Sequence, residues 1–273
     1  MSETPTASVH QNSVMMNPLI RKLSRIEESA EYSASYGGIA VKTMIFMLAA
    51  AAGVVLYFLL HSTMAGSSTI EVSGYTFYQT EAVVCLAALL LSALAPLIAF
   101  AIRPLIPLFG MLYCASVGFS ITMLATVLGA EYTNSIYLAL GLTVILVAVM
   151  AFLYASRMIK VGKRFRAVVL TLFLTSIFSG VILFLLSLIP GVGPALSFLR
   201  ESPVFSIGLS VVYIVIACAF LLVDFDTIER SVENRLPKKY EWTAAFGLAY
   251  TIIYLFLKIL NLLCKLTQKN NSN

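Results

Sequence analysis

Seven long apolar stretches determine what this chain can fold into. They lie at about 43–60, 82–102, 105–128, 136–156, 167–189, 204–223 and 243–264. Each approaches the roughly 20 residues that a helix needs to cross about 30 Å of hydrocarbon. Lipid offers the backbone no hydrogen-bond partners, and no stretch alternates polar with apolar residues as a barrel strand does. The predicted fold class is therefore all-α, a polytopic membrane protein with a bundle of seven transmembrane helices.

The composition supports this assignment. Apolar residues make up 60% of the chain and charged residues 11%, whereas about a quarter of the residues in a typical soluble domain are charged. The sequence divides into a polar cytoplasmic N-terminal tail at 1–35, a transmembrane domain at 36–267 and a short C-terminal tail at 268–273. The lipid bilayer is the first partner that the sequence predicts.

The basic residues are distributed unevenly between the two sides of the predicted helices. With the N-terminus placed in the cytoplasm, fourteen of the 18 Lys and Arg residues fall in inner segments, and only Arg200, Lys265 and Lys269 in outer ones. Cytoplasmic segments carry such an excess. The pattern predicts a multi-pass protein of the cell (inner) membrane, with its N-terminus cytoplasmic and its C-terminus outside. It also accounts for the net charge of +5, so no nucleic acid is expected as a partner.

Residues suited to metal binding or catalysis are not grouped in the sequence. His10 and His61 lie outside the predicted helices, and the four cysteines are widely spaced, with no CxxC pair. We therefore predict no metal and no cofactor. An intramembrane protease would need a Ser/His or an Asp/Asp arrangement in the bilayer, and the only close aspartates share one helix end. An enzyme is therefore not expected.

Three ionisable residues lie in or beside the last two apolar stretches. Asp224 and Asp226 follow the sixth stretch, and Lys258 lies well inside the seventh. Such residues are costly at membrane depth and indicate functional sites. At 100° per residue Asp224 faces a polar stripe on helix six, and Asp226 points about 200° away. A helix that unwinds at this end would weaken that assignment, and Arg230, four residues on, is expected to pair with Asp226.

Helix seven carries a polar stripe on an otherwise apolar surface. Its members follow spacings of 4, 3, 4, 3 and 4: Gly247, Thr251, Tyr254, Lys258, Asn261 and Lys265. A stripe of this kind is expected to face the interior of the bundle, because lipid would leave each polar group unsatisfied. For Lys258 the alternative is that its ammonium reaches outward to the membrane surface.

Several motifs spread over almost the whole chain resemble one family. NPLIRKL with YGGIAVKT, the loop LYASRMIKVGKRFR, and the segments VDFDTIE, PKKYEWTAAFGL and YLFLKILNLL resemble the Bax inhibitor-1, or transmembrane Bax inhibitor motif, family, particularly its bacterial members. The resemblance implies a seven-helix bundle in which helix seven is central. It also implies an acidic pair on the last two helices that senses protons and gates a calcium leak.

The same resemblance suggests where this pair would lie. FDTI matches the helix-six signature and places the first carboxylate at Asp226. YLFLKILN matches the helix-seven signature, and there Lys258 stands where the family usually has Asp or Glu. A shared proton requires two like charges, whereas Asp226 with Lys258 would form an ordinary ion pair. Periodicity favours Asp224 and the resemblance favours Asp226 as the functional aspartate, and both remain candidates.

Two functions follow as hypotheses. The first is a pH-sensitive leak for calcium or monovalent cations, with Asp226, Lys258, Asp224, Tyr254 and Asn261 in the gate or ion path. In this hypothesis protonation of the aspartate releases Lys258 and opens the path. The alternative is a non-conducting interaction protein that modulates membrane-protein quality control or stress survival, with a membrane protease or another membrane protein as its partner.

Overall fold

The apolar stretches form the helices that the sequence predicts. The computed structural model describes residues 33–63, 68–72, 75–187 and 203–271. Within these ranges the chain forms seven α-helices: α1 Tyr36–Thr63, α2 Gln79–Ala101, α3 Ile106–Leu128, α4 Ala130–Ala155, α5 Lys163–Ser187, α6 Pro203–Glu233 and α7 Tyr240–Asn271. Six of them, all except α5, are long and apolar enough in their described parts to cross a membrane. The predicted helical bundle is confirmed.

Two short strands and one 3-10 turn connect some of these helices. The strands β1 Thr69–Val72 and β2 Tyr75–Tyr78 pair in antiparallel fashion between α1 and α2. A single 3-10 turn, Arg103–Leu105, separates α2 from α3. Most of the predicted N-terminal tail, residues 1–32, lies outside the described residues.

The last two helices are longer than their apolar stretches. α6 continues to Glu233 and α7 begins at Tyr240, whereas the sequence predicts apolar segments that end near 223 and begin near 243. Hydropathy detects only the part of a helix that lies in hydrocarbon, and polar turns at its end remain helical. Asp224 and Asp226 therefore lie within regular helix, where residues two positions apart point in nearly opposite directions.

Helix α7 lies at the centre of the bundle, as predicted. It packs against α1, α3, α4 and α6. Its aromatic rings reach the remaining two helices, because Phe246 lies 5.2 Å from Phe100 of α2 and Tyr254 lies 4.9 Å from Phe173 of α5. The spans of α3 and α7 are each 44% buried inside the protein, against 11% for that of α4. A polar side chain on α7 therefore faces other helices on most of its sides.

Small residues bring α1 and α3 into close contact. Gly53 of α1 lies against the backbone carbonyl of Ala115, and Gly118 of α3 lies against that of Ala50. A Cβ atom on either glycine would overlap the facing carbonyl oxygen. Small residues at helix interfaces allow this backbone approach in membranes, where dispersion forces between packed helices replace the hydrophobic effect.

The two ends of the bundle differ in chemistry. The start of α1 and the connections α2–α3, α4–α5 and α6–α7 lie at one end, which we call the basic end because most Lys and Arg side chains are there. The β1–β2 hairpin and the end of α7 lie at the other, the hairpin end. At the basic end the segment before α1 pairs with the α6–α7 connection, since the Ala34 amide donates to the Leu236 carbonyl at 2.7 Å.

Candidate functional site

Asp226 is held by two arginines at the basic end. It is 7% exposed, and its Oδ2 accepts hydrogen bonds from Arg166 of α5 and from Arg230 of its own helix, the latter at 2.9 Å. The predicted i, i+4 pair with Arg230 is therefore present, and Arg166 adds a contact between helices that the sequence did not reveal. We call Asp226, Arg166 and Arg230 the Asp226 cluster. It joins α5 to α6 through one carboxylate.

Asp224 faces the opposite way, towards α7. A Cβ atom on Gly247 would lie 3.7 Å from Asp224 Oδ1, and the Thr251 hydroxyl lies beside the carboxylate. The Asp224 Oδ2 atom is buried and has no hydrogen-bond partner among the described residues. A buried carboxylate oxygen without a partner is costly, so this atom marks a place where a proton, a water molecule or a cation would be stabilised.

A pocket opens beside Asp224. Its volume is about 210 Å³, and Asp224 is the acidic residue in its lining. The other lining residues come from the end of α6, the α6–α7 connection and the start of α7: Thr227, Ser231, Leu236, Tyr240, Thr243, Ala244 and Gly247. We call it the α6–α7 pocket. Several of these side chains carry hydroxyl groups, which suit water or a hydrated ion.

Lys258 lies away from both aspartates. Its Nζ atom is 4.5 Å from the ring centroid of Tyr213 on α6 and 5.0 Å from that of Tyr254. No ion pair joins Lys258 to an aspartate in the described part of the chain. The α7 residues that face Asp224 are Gly247 and Thr251, and Lys258 is about two helical turns, or 10 Å, beyond Thr251. The predicted pairing of an aspartate with Lys258 is therefore wrong.

The two other predicted residues of helix seven accompany Lys258 towards the hairpin end. Tyr254 is buried, and its Oη lies 2.7 Å from the Ser176 hydroxyl of α5. Asn261 is exposed, and its Oδ1 accepts a hydrogen bond of 3.5 Å from Ser210 of α6. The five predicted site residues thus form two groups, the aspartates at the basic end and Tyr254, Lys258 and Asn261 beyond the middle of α7.

Sequence reasoning missed the most deeply buried acid of the described chain. Glu241, in the first turn of α7, is fully buried. Lys42 of α1 donates to its Oε2, and the amide and hydroxyl of Ser35 donate to its Oε1 at 2.9 and 3.1 Å. A Cβ atom on Gly38 would overlap this carboxylate. We call Glu241, Lys42 and Ser35 the Glu241 cluster, and it fastens the start of α1 to the start of α7.

A signal for this cluster was present in the sequence. Lys42 is a lone cation near the start of one apolar helix, and the glycines of YGGIAVKT leave space beside it. The segment EWTAAFG carries a lone acid, Glu241, near the start of another apolar helix. The two segments were interpreted only as motifs of the family resemblance, and their charges were not related to each other. A lone cation and a lone acid at the same predicted membrane depth favour a direct pair.

His61 and Glu81 meet at the hairpin end. The structure places His61 in the last turn of α1 rather than in a loop, with its Nδ1 2.6 Å from Oε1 of Glu81 on α2. Glu81 is 3% exposed, and the His61 ring stacks on Tyr57. Within the part of the chain that the structure describes, no three His, Cys, Asp or Glu side chains are grouped as metal ligands are.

The geometry at the basic end makes the contact between α5 and α6 depend on one negative charge. A single buried carboxylate, Asp226, holds a guanidinium from the neighbouring helix, and the α6–α7 pocket lies on the other side of the same helical turn. Neutralising Asp226 removes the charge that both arginines bind.

Comparison with known proteins identifies the family. A family model described as Bax inhibitor 1 like matches residues 12–268, which is most of the chain and includes every residue of the candidate site. Comparisons with curated proteins and with solved structures gave no match.

Proposed function

The chain belongs to the Bax inhibitor 1 like family, and from this premise we propose that it is a pH-sensitive cation leak closed at its basic end. The observation that carries the proposal is the Asp226 cluster. Asp226 is buried, and it binds an arginine from α5 beside a pocket that contains a second carboxylate. Loss of the negative charge on Asp226 is the event that opens this end.

The sign of the pH effect follows from the charges. The ion pairs of Asp226 with Arg166 and Arg230 exist only while the carboxylate is ionised. At low pH the neutral carboxyl no longer attracts either guanidinium, and the side chain of Arg166 is free to reach the head groups. α5 then loses its charged contact with α6. The leak is therefore expected to increase as the pH falls.

The proposed path begins at the α6–α7 pocket. Asp224 gives the pocket a negative charge that attracts cations, and the path continues along α7 past Thr251 and Tyr254. Lys258 lowers the flux of cations along this path without closing it, because a fixed ammonium repels cations. The excess of Lys and Arg at the basic end supports a cytoplasmic position for that end of the bundle, and in this proposal the gate faces the cytoplasm of the cell.

Replacing Asp226 with Asn is the direct test. We expect the flux of potassium and calcium into dye-loaded proteoliposomes at pH 8 to rise severalfold above that of the unmodified protein, because Asn carries no charge to hold the two guanidinium groups. The dependence of the flux on pH should disappear, because the Asn side chain has no ionisable group. The measurement is the initial rate of dye response at several pH values between 5 and 8.

Two arginine variants provide the matched control. Arg166→Gln removes the contact between α5 and α6, whereas Arg230→Gln removes only a contact within α6. We expect Arg166→Gln to raise the flux at pH 8 and Arg230→Gln to leave it close to that of the unmodified protein. Equal effects of the two substitutions would refute the role of the contact between helices.

The second candidate is a non-conducting interaction protein, and the position of Lys258 favours it. This ammonium lies over two tyrosine rings on the proposed path, where it would block cations at every pH. If the unmodified protein and Asp226→Asn both fail to leak while Lys258→Gln leaks, the bundle contains a path that the Lys258 ammonium keeps closed to cations. That result would replace the leak with an interaction role in membrane-protein quality control.

A further inference from the structure

The α6–α7 pocket contains a carboxylate oxygen that lacks a partner. Asp224 Oδ2 is buried and makes no hydrogen bond to any described residue, and Asp224 lines the pocket together with residues of both helices. We propose that this pocket binds one singly charged cation at Asp224, a hydrated alkali-metal ion or a small ammonium ion. The inference concerns the pocket at which the proposed path begins, but the binding requires no conduction.

Two hydroxyl groups of the lining can act only as acceptors towards a ligand. Thr227 Oγ1 donates to the Val223 carbonyl, and Ser231 Oγ donates to the Thr227 carbonyl, both at 2.7 Å. A hydroxyl has one proton and two lone pairs, so neither group has a proton left for a molecule in the pocket. Asp224, Thr227 and Ser231 follow one another at spacings of three and four residues and line the same pocket. Such a lining favours a cation over an anion.

The charge of the pocket favours an ion with a single positive charge. Among the described lining residues Asp224 is the acid. Asp226 faces away from the pocket and is bound by Arg166 and Arg230, so its charge is already compensated. One monovalent cation balances Asp224, whereas a divalent ion would leave an uncompensated charge in a poorly hydrated site. Calcium also takes about six to eight oxygen ligands, and this lining offers one carboxylate.

The cations of the α6–α7 connection leave Asp224 without a counter-charge. Arg235, Lys238 and Lys239 are exposed, and within the described ranges none of them forms an ion pair with Asp224. Exposed charges are also screened by salt. The pocket volume is about 210 Å³, whereas one water molecule needs about 10 to 15 Å³. The space beside Asp224 therefore holds a cation together with water.

Binding of radioactive sodium to the full chain in detergent tests the proposal. The measurement is equilibrium scintillation proximity binding at pH 8, with choline chloride keeping the ionic strength constant. Unlabelled potassium, methylammonium and calcium chlorides are added as competitors. We expect one saturable sodium ion per chain. Calcium should displace it at least about tenfold less effectively than the better of the two monovalent competitors, because its second charge is not compensated.

Two substitutions change the pocket in different ways. Asp224→Asn keeps the size of the side chain and removes its charge, so sodium should bind at least about tenfold more weakly. Gly247→Val keeps the carboxylate and fills the space beside it. Outside its own helix, Asp224 Oδ1 is the one described atom within 4 Å of a Cβ atom on Gly247, so the larger side chain fits without a clash and should also weaken binding. Glu233→Gln removes an exposed acid at the end of α6 and should bind sodium as the unmodified protein does.

The order of displacement assigns the kind of cation. Stronger displacement by methylammonium than by potassium supports the site and assigns it to an ammonium ion, and the reverse order assigns it to an alkali-metal ion. Equal sodium binding by the unmodified protein and by Asp224→Asn would overturn the proposal, and so would calcium that displaces sodium as well as both monovalent ions do. If Asp224→Asn does not fold, unchanged binding by Gly247→Val would overturn it. The assay measures no flux, so its result is independent of the leak and of the Asp226 cluster.

Discussion

Replacing Glu241 with Gln is expected to lower the free energy of unfolding by about 3 to 5 kcal/mol. The Glu241 side chain is fully buried, and that of Lys42 is only 15% exposed. Glutamine keeps the size of the side chain but leaves the Lys42 ammonium uncompensated between helices. The measurement is the unfolding midpoint of the purified protein in detergent, followed through the fluorescence of Trp242, which lies 5.3 Å from the Lys42 ammonium.

A second acid at the same end of the bundle serves as the control. Glu233→Gln removes one negative charge from an exposed position at the end of α6, and we expect it to change the free energy of unfolding by less than about 0.5 kcal/mol. The double variant Lys42→Met, Glu241→Gln should recover part of the loss, because no charge then remains buried. Equal destabilisation by Glu241→Gln and Glu233→Gln would contradict the buried pair.

Replacing Gly118 with Ala is expected to cost about 1 to 3 kcal/mol of stability. The added Cβ atom would overlap the Ala50 carbonyl oxygen, and a backbone carbonyl cannot move aside as the end of a flexible side chain can. α1 and α3 must then separate and lose packing along their whole contact. The same effect is expected for Gly53→Ala against Ala115. The unfolding midpoint in detergent measures both.

Gly141 of α4 provides the matched comparison. A Cβ atom at this position meets nothing within 4 Å, so Gly141→Ala adds the same methyl group to a helix without a clash. We expect it to leave stability unchanged or to raise it by up to about 1 kcal/mol, as glycine to alanine does in a helix interior. If Gly118→Ala and Gly141→Ala behave alike, the close approach of α1 and α3 is not a feature of the protein in solution.

The helices could be predicted because one physical requirement dominates their sequences. A segment that crosses hydrocarbon must be apolar and helical, so seven apolar stretches indicate seven helices. The orientation of Asp224 and Asp226 was also accessible, since a helical wheel separates them by about 200°, and in the structure they contact α7 and α5 respectively. The last turns of α6 and the first turn of α7 could not be predicted, because a polar helical turn has no hydropathy signal.

The partner of the aspartates was misplaced for a different reason. The polar stripe of α7 repeats every seven residues, with Thr251 and Lys258 at equivalent positions. A periodic pattern identifies the face but not the level along the helix. The length of the α6–α7 connection decides the level, and it places Thr251 beside Asp224. Lys258 was assigned as the partner because it stands at the acidic position of the family's helix-seven signature and is the only charged member of the stripe between Gly247 and Asn261.

Glu241 was missed because the pair that it forms is distant in sequence. Its neighbours Lys238, Lys239 and Trp242 are typical of a membrane surface, where an acid needs no special explanation. Its true partner, Lys42, lies 199 residues earlier. The common membrane depth of the two lone charges is the signal that links them, and the surface-like neighbours of Glu241 concealed it.

The separation between Lys42 and Glu241 also matters for the order in which the protein is made. α1 is synthesised before α7, so the Lys42 ammonium has no contact with Glu241 until α7 has been synthesised. A chain that stops before Tyr240 lacks both this acid and the central helix on which the others pack. The ion pair between Lys42 and Glu241 therefore forms only after α7 has been made. A chain that stops before Glu241 leaves the Lys42 ammonium of α1 without this partner.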